Sequence, residues 1–204
     1  MGFRCIFIYL VIFISFMSCE LKTDTIYKYG GFLYQYESDY PDGVIFMGLE
    51  HYDSDLEFVK FDIPRYIYNQ PVVGVRELEN VKADEIYFHE NIRFIDNVGH
   101  NCIKVDLSDT SLTNMGPFCF CNSPTLYDSD VEVVYLPNTV KYIHRYVFEF
   151  SNIKVLYLHS VVPPSTDADV KYIRNKAIYV PKESLDAYKA HPFWGNCNNI
   201  NAIE

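Results

Sequence analysis

The sequence offers few side chains whose types and spacing are suited to catalysis. Its six histidines are scattered, and it contains no GxSxG elbow, HExxH motif or glycine-rich phosphate loop. Two aspartates, Asp62 and Asp106, fall at matching outward positions of predicted strands, and a carboxylate pair is what a glycoside hydrolase needs. Their position on an open sheet argues against that chemistry. We therefore predict that the protein is not an enzyme and that it needs no cofactor or metal.

The same outward column contains the side chains best suited to binding. Its members are Asp62, Tyr87, Asp106, Tyr135, Tyr157 and Tyr179, and the last three are spaced twice by twenty-two residues. Three such tyrosines on adjacent strands would form a ladder of flat, amphipathic surface that can contact a peptide or a sugar ring. The alternative is cross-strand stacking that only stabilises the sheet. The predicted ligand-binding residues, for a protein or a carbohydrate, are Tyr87, Asp106, Tyr135, Tyr157 and Tyr179.

These positions belong to a repeated unit that is clearest at residues 131–148. In a strand over 133–136, alternate side chains face opposite ways, so Val134 and Leu136 are predicted to face inward and Tyr135 outward. Pro137 ends the strand because it cannot donate a ladder hydrogen bond. Apolar residues then turn back beneath the strand and fill the layer, namely Val140, Ile143 and Phe148.

Related units occur upstream and downstream. They begin near residues 58, 85, 103, 153 and 177, and the first contains a polar insertion at 65–71. The inward positions recur as Val72 and Val75, Ile92 and Ile95, and Leu112, Met115 and Phe120. One layer cannot bury its own apolar face, so neighbouring layers must stack. The sequence therefore predicts a β-rich solenoid over residues 58–204.

The pattern resembles the BspA-like leucine-rich repeats of bacterial surface proteins. The residues that carry the resemblance are Ile63 and Pro64 with 71–75, 136–140 with Ile143, Val147 and Phe148, and 177–181 with Tyr188 and Trp194. The resemblance implies a right-handed coil with a parallel sheet along one side. It also implies adhesion or host-matrix binding, as in some members of the family, and many of these proteins are lipoproteins or secreted.

Both ends of such a coil need closing, because unpaired edges invite aggregation. Residues 26–57 are predicted to form an N-terminal β cap, in which strands at 32–36 and 44–47 flank a turn at 40–43 and cover the first layer. At the other end, residues 182–190 have helical spacing, with Leu185 and Tyr188 on one face and Pro192 as the stop. Trp194 is expected to pack beneath this short helix.

Residues 1–18 have the composition of a signal peptide for export. Their apolar run, residues 5–17, is short for a membrane span, which needs about twenty residues. Ser18 and Cys19 resemble a bacterial lipobox, which predicts a lipid anchor on Cys19, a short tether at 19–25, and attachment to the outer membrane or cell surface. The alternative is a plain signal peptide with an incidental Cys19.

Charge and cysteine content narrow the remaining possibilities. The formal net charge of −10 repels phosphate backbones, so no nucleic-acid partner is expected. The later cysteines lack the CxxC pairs of a zinc site, and they are either buried thiols or disulfide partners: Cys102, Cys119, Cys121 and Cys197. Of these, Cys119 and Cys121 are expected on one face of a strand.

Together these features predict a surface-anchored, non-catalytic binding or adhesion module. An accessory subunit of a surface nutrient-uptake complex is the alternative.

Overall fold

The computed structural model describes residues 25–50, 57–78, 81–99, 102–120, 129–149 and 151–204. The predicted signal peptide, Cys19 and Cys121 lie outside these ranges. The strands in these ranges are β1 (Tyr27–Tyr29), β2 (Phe32–Gln35), β3 (Val44–Leu49), β4 (Phe58–Asp62), β5 (Tyr66–Ile67), β6 (Gln70–Arg76), β7 (Ala83–Tyr87), β8 (Phe94–Asp96), β9 (Lys104–Asp106), β10 (Asn114–Met115), β11 (Val133–Leu136), β12 (Tyr142–Ile143), β13 (Val155–Leu158), β14 (Ser165–Thr166), β15 (Ala177–Val180) and β16 (Asn199–Ala202). The helices are α1 (Tyr146–Glu149) and α2 (Leu185–Ala190), with 3-10 turns at Val170–Tyr172, Lys182–Ser184 and Trp194–Asn196.

A seven-stranded parallel sheet forms one side of the core. Its order is β16-β15-β13-β11-β9-β7-β4, so neighbours in the sheet are successive units of the chain. The inward positions pair across all seven strands as one apolar column, in which no side chain is more than 9% exposed: Phe61, Ile86, Val105, Val134, Leu156, Ile178 and Ile200. Because side chains alternate along a strand, this column determines which residues face outward.

The opposite side of the core consists of shorter strands. Between each pair of long-sheet strands from β4 to β15, the chain crosses to this side, where β6 pairs with β8 and β10, β12 and β14 pair in order, all in parallel. The residues that were predicted to turn back beneath the strands are all at most 5% exposed: Val72, Val75, Ile92, Ile95, Leu112, Met115, Phe120, Val140, Ile143 and Phe148. A β-rich fold with a parallel sheet is therefore confirmed.

The predicted N-terminal hairpin is present, and it joins the first layer through β6. Strands β2 and β3 pair antiparallel around the predicted turn, where Gly43 N–H donates to the Tyr40 carbonyl at 3.3 Å. The hairpin was expected to cover the first layer, which consists of β4 and β6. Strand β3 pairs in parallel with β6. Strand β3 is apolar on both faces, with Phe46 in the main core and Ile45 in a second cluster, which is typical of a strand inside a sheet rather than at its edge.

The insertion at 65–71 is a second hairpin rather than a polar loop. Strand β5 pairs antiparallel with the start of β6, and Ile67 is only 1% exposed. The two turn residues, Tyr68 and Asn69, have φ values of 50° and 59°. Two consecutive positive φ angles define the type I′ turn, whose twist matches that of the flanking strands. The insertion therefore contributes an apolar side chain to the core.

The predicted C-terminal helix is confirmed, although it is short. Helix α2 ends at Ala190, and both Tyr188 and Trp194 are fully buried. Their polar atoms have partners: the Tyr188 hydroxyl donates to the Ser160 carbonyl at 2.9 Å, and Trp194 Nε1 donates to the Pro164 carbonyl at 2.8 Å. Strand β16 then follows and pairs with β15, which the sequence analysis did not anticipate.

Among the cysteines in the described ranges, Cys119 differs from its predicted placement. Cys119 lies in a turn rather than on a strand, and its Sγ donates to the Gly116 carbonyl at 3.2 Å, because the chain has already left β10. Cys102 is buried, and this burial raises the pKa of its thiol to about 12. Cys197 is a half-buried free thiol. Among the described residues, no helix is long and apolar enough to cross a membrane.

The inward column can be tested at Leu156 on β13, which is fully buried. We expect Leu156→Ala to lower the free energy of unfolding by about 2–5 kcal/mol, because it leaves a cavity in a closely packed layer. The matched control is Val162→Ala, at a side chain that is 76% exposed, where the change should be about 0.5 kcal/mol or less. Chemical denaturation measures both, and equal effects would contradict the assigned core.

Candidate binding face of the seven-stranded sheet

The outward column predicted from the sequence lies in register across the sheet. Asp62 pairs with Tyr87, Tyr87 with Asp106, and Asp106 with Tyr135. The column continues through Tyr157 and Tyr179 and ends at Asn201 on β16. The structure therefore brings Tyr87, Asp106, Tyr135, Tyr157 and Tyr179 together on one face.

Three tyrosines of this column form a continuous stack, which we call the tyrosine ladder: Tyr135, Tyr157 and Tyr179. The rings of Tyr135 and Tyr157 are 4.2 Å apart and 2° from parallel, and those of Tyr157 and Tyr179 are 4.7 Å apart and 15° from parallel. The facing rings thus cover each other, and all three tyrosines are half-buried. Burial, followed by the neighbouring Tyr157, raises the pKa of the Tyr135 hydroxyl.

A second outward column runs beside the first, and its chemistry differs between the later and the earlier strands of the sheet. Next to the ladder it consists of Val133, Val155 and Ala177, which are half-buried and pair in register. On the earlier strands the same column holds Lys60, Glu85 and Lys104. One half of the outer face is therefore aromatic and aliphatic, and the other half is charged.

The charged half is an organised network. Lys104 Nζ donates to the Tyr87 hydroxyl at 2.8 Å and to Glu85 Oε2 at 3.2 Å, and the Tyr87 hydroxyl donates to the same carboxylate. Partial burial of the Lys104 ammonium opposes its charge, but the hydrogen bonds to Tyr87 and Glu85 outweigh burial and raise the pKa of Lys104 to about 12. Hydrogen bonds from Tyr87 and then from Lys104 lower the pKa of Glu85.

Lys104 also connects the two halves. Its Nζ lies 4.7 Å from the ring centroid of Tyr87 and 5.0 Å from that of Tyr135. An ammonium within about 6 Å of a ring centroid is attracted to the electron-rich ring face. The ladder thus meets a cation where it adjoins the charged half.

Each of the two aspartates of the column contacts a side chain two residues away in the sequence. Asp106 Oδ1 accepts from the Ser108 hydroxyl at 2.6 Å and from the Ser108 N–H at 3.1 Å, and Asp62 pairs with Lys60 at 3.2 Å. Strand β7 lies between them. No group of three histidine, cysteine or acidic side chains that could hold a metal occurs in the described ranges.

Four residues of this face were not anticipated from the sequence, namely Lys60, Glu85, Lys104 and Asn201. The first three lie two positions before the predicted column on their own strands, so strand periodicity could have located them. Their charges, however, look like those of ordinary solvated residues. Asn201 follows Tyr179 at the same spacing of twenty-two residues, but only an apolar strand pattern would have drawn attention to it.

Comparison with known proteins gives one distant similarity. No protein-family model matches the sequence, and no curated protein matches it. The chain is similar to a solved structure of a leucine-rich cell surface protein from Faecalibacterium prausnitzii A2-165, with 11% identity over 88% of this chain and a TM-score of 0.23. The aligned part is 55% of that protein, so this chain spans about half of its length.

The network predicts a measurable change in the titration of Lys104. In Glu85→Gln, the pKa of Lys104 should fall from about 12 toward the usual lysine value of about 10.4, because the charged acceptor is gone. Glu90→Gln, which removes a carboxylate paired with Arg65 instead, should leave it unchanged. NMR titration of the lysine side chains measures this, and an unaltered Lys104 pKa in Glu85→Gln would contradict the network.

The raised pKa of Lys104 also predicts how the stability of the fold depends on pH. Because the pKa of Lys104 is raised in the folded chain, its interactions stabilise the fold fully below about pH 10.4, the ordinary lysine pKa. That contribution is lost as the pH rises through about 12. The alkaline loss of stability should therefore be smaller in Glu85→Gln than in the unaltered chain.

Proposed function

We propose that this chain is a surface-anchored, non-catalytic binding module for a protein or a glycan, and that the tyrosine ladder contacts the ligand. The observation that carries the proposal is the ladder itself, because three half-buried tyrosines are aligned on adjacent strands of one sheet. Tyrosine is favoured at binding surfaces because it combines apolar area with a hydroxyl and loses little entropy when it is immobilised.

The neighbouring aliphatic residues support a binding role for this half of the sheet. Val133, Val155 and Ala177 extend the apolar area beside the ladder without adding charge. Contiguous exposed apolar area on a soluble protein is typical of contact surfaces. The ladder hydroxyls lie along the same surface and can donate to or accept from a polar ligand. An amphipathic ligand would therefore satisfy both kinds of group.

We further propose that the body is a leucine-rich-repeat solenoid of the BspA-like kind. The regular alternation of the chain between the long sheet and the opposite side supports this proposal, as does the twenty-two-residue register from β11 to β16. In the repeat proteins that the sequence resembles, extended sheet faces serve recognition. The proposed localisation is at the outer membrane or cell surface, through a lipid on Cys19.

The binding role is tested by replacing Tyr135, Tyr157 and Tyr179 with alanine together. Ligand capture from an array of glycans and matrix proteins should be lost, while the circular dichroism spectrum remains that of the unaltered chain. The control is Tyr66→Ala, at a tyrosine on β5 that is 62% exposed and lies away from the ladder. If the triple variant is strongly destabilised and no array ligand registers with the unaltered chain, the ladder is structural and the proposal fails.

The anchor is tested separately by Cys19→Ser. Removing the thiol should release the mature protein from the membrane fraction, since no acyl chain can then be attached and stable anchoring takes two chains. Cys197→Ser, which leaves Cys19 intact, serves as the control and should stay in the membrane fraction. Continued membrane association of Cys19→Ser, measured by fractionation of cells, would contradict lipid anchoring.

A further inference from the structure

The two ends of the tyrosine ladder differ in what covers them. At the Tyr135 end, the outer ring face looks toward β9, where Lys104 Nζ lies 5.0 Å from the ring centroid. At the Tyr179 end, one ring face is stacked on Tyr157, so the other looks toward β16. The residue paired with Tyr179 on β16 is Asn201, which has no ring to continue the stack.

The position beyond Tyr179 is a groove with mixed chemistry. It is lined by Tyr157, Tyr179, Asn201, Ala202, Ile203 and Glu204. The amide of Asn201 is turned back along its own strand, where Nδ2 donates to the Asn199 carbonyl at 3.4 Å. In the described part of the chain, the exposed Asn201 and Glu204 thus border the ring of Tyr179, and no aromatic side chain lies over its outer face.

We propose that this groove binds an uncharged pyranose ring, which stacks on the outer face of Tyr179 and continues the ladder by one position. This inference rests on the proposed function and names its ligand class. Adjacent rings of the ladder are 4.2 Å and 4.7 Å apart, close to the strand spacing of about 4.8 Å. One further ring at the same interval lies above β16, within the groove.

A pyranose fits both parts of the groove. Its C–H face makes the close carbon contacts of about 3.5–4.0 Å that an aromatic face offers, and its rim carries hydroxyls. The Asn201 amide can donate and accept, and the Glu204 carboxylate can accept two hydroxyl hydrogen bonds. Small-molecule sites typically combine apolar lining with a few placed polar groups in this way.

Electrostatics favours a neutral sugar over an acidic one. Glu204 borders the groove, and the whole chain has a formal net charge of −10. Repulsion from this surface would weaken the binding of uronic or sialic acids. An extended peptide added beside β16, the terminal strand of the sheet in the described residues, would be held by its backbone instead and would not depend on the ring of Tyr179.

The first experiment compares the two ends of the same ladder. The purified chain is titrated with methyl glycosides of glucose, galactose and N-acetylglucosamine and with their linear tetrasaccharides, and binding is followed by saturation-transfer NMR and tyrosine ring signals. Tyr179→Ser should weaken binding about tenfold or more, as loss of an aromatic contact does. Tyr135→Ser removes the tyrosine at the covered end and should change the affinity by less than about threefold.

A second variant keeps the test valid if Tyr179→Ser is destabilised. Asn201→Tyr places a ring in the position that we assign to the sugar, so it should extend the ladder and abolish binding while the melting temperature stays the same or rises. Asn199→Tyr, on the same strand but in the neighbouring outward column, is the matched control and should still bind.

Three results of the sugar titrations would overturn this inference. They are binding of none of the three sugar series, equal loss of affinity in Tyr179→Ser and Tyr135→Ser, and unimpaired binding in Asn201→Tyr. A ligand that shifts the backbone amides of β16 but is indifferent to Tyr179→Ser indicates an added peptide strand and overturns it as well. The broader proposal fails separately, when the triple alanine variant still captures its ligand.

Discussion

Parallel pairing of successive units in the seven-stranded sheet determines both faces of the sheet at once. The inward column from Phe61 to Ile200 is buried along its whole length. A slip of one residue in any strand would move its apolar side chains to the solvent and its outward residues into the core. The cost of exposing side chains such as Leu156 therefore holds Tyr157 in line with Tyr135 and Tyr179.

This register aligns the side chains of the outer face, but it does not determine their chemistry. Glu85 and Lys104 of the charged network occupy positions equivalent to those of the aliphatic residues beside the tyrosine ladder, on different strands. Where they meet, the ammonium of Lys104 covers the ring of Tyr135, so the ladder has one covered and one uncovered end. This asymmetry distinguishes a stack that only stabilises the sheet from one that offers a ring face to a ligand. The inner rings are compatible with both the stabilising role and the binding role, and Tyr179 is the residue at which the two roles can be distinguished.

Much of this arrangement could be predicted from the spacing of a few residues. Val134, Leu156 and Ile178 recur at twenty-two residues, and that interval alone predicts the ladder's register. Strands are harder to predict from the sequence where few of their side chains are large and apolar. Strand β16 was missed because Ile200 is its only large apolar residue, and Asn201 does not resemble a ladder position.

Other features depend on tertiary contacts that sequence periodicity does not contain. Strand β3 is apolar on both faces, which indicates an internal strand but not that its neighbour is β6 rather than β4. The covering of Tyr135 by Lys104 depends on two side-chain conformations, and outward lysines usually remain in solvent. The open ring face of Tyr179 follows only when strand order and ring geometry are both known.

Ring-to-ring contacts within the ladder provide the most direct test of the central claim, that sheet register stacks these tyrosines. Nuclear Overhauser effects between selectively labelled tyrosine rings report separations of this size in solution. We expect contacts between Tyr135 and Tyr157 and between Tyr157 and Tyr179, with none between Tyr135 and Tyr179. Absence of the two neighbouring contacts, or ring contacts from Tyr157 to inward residues such as Ile178, would contradict it.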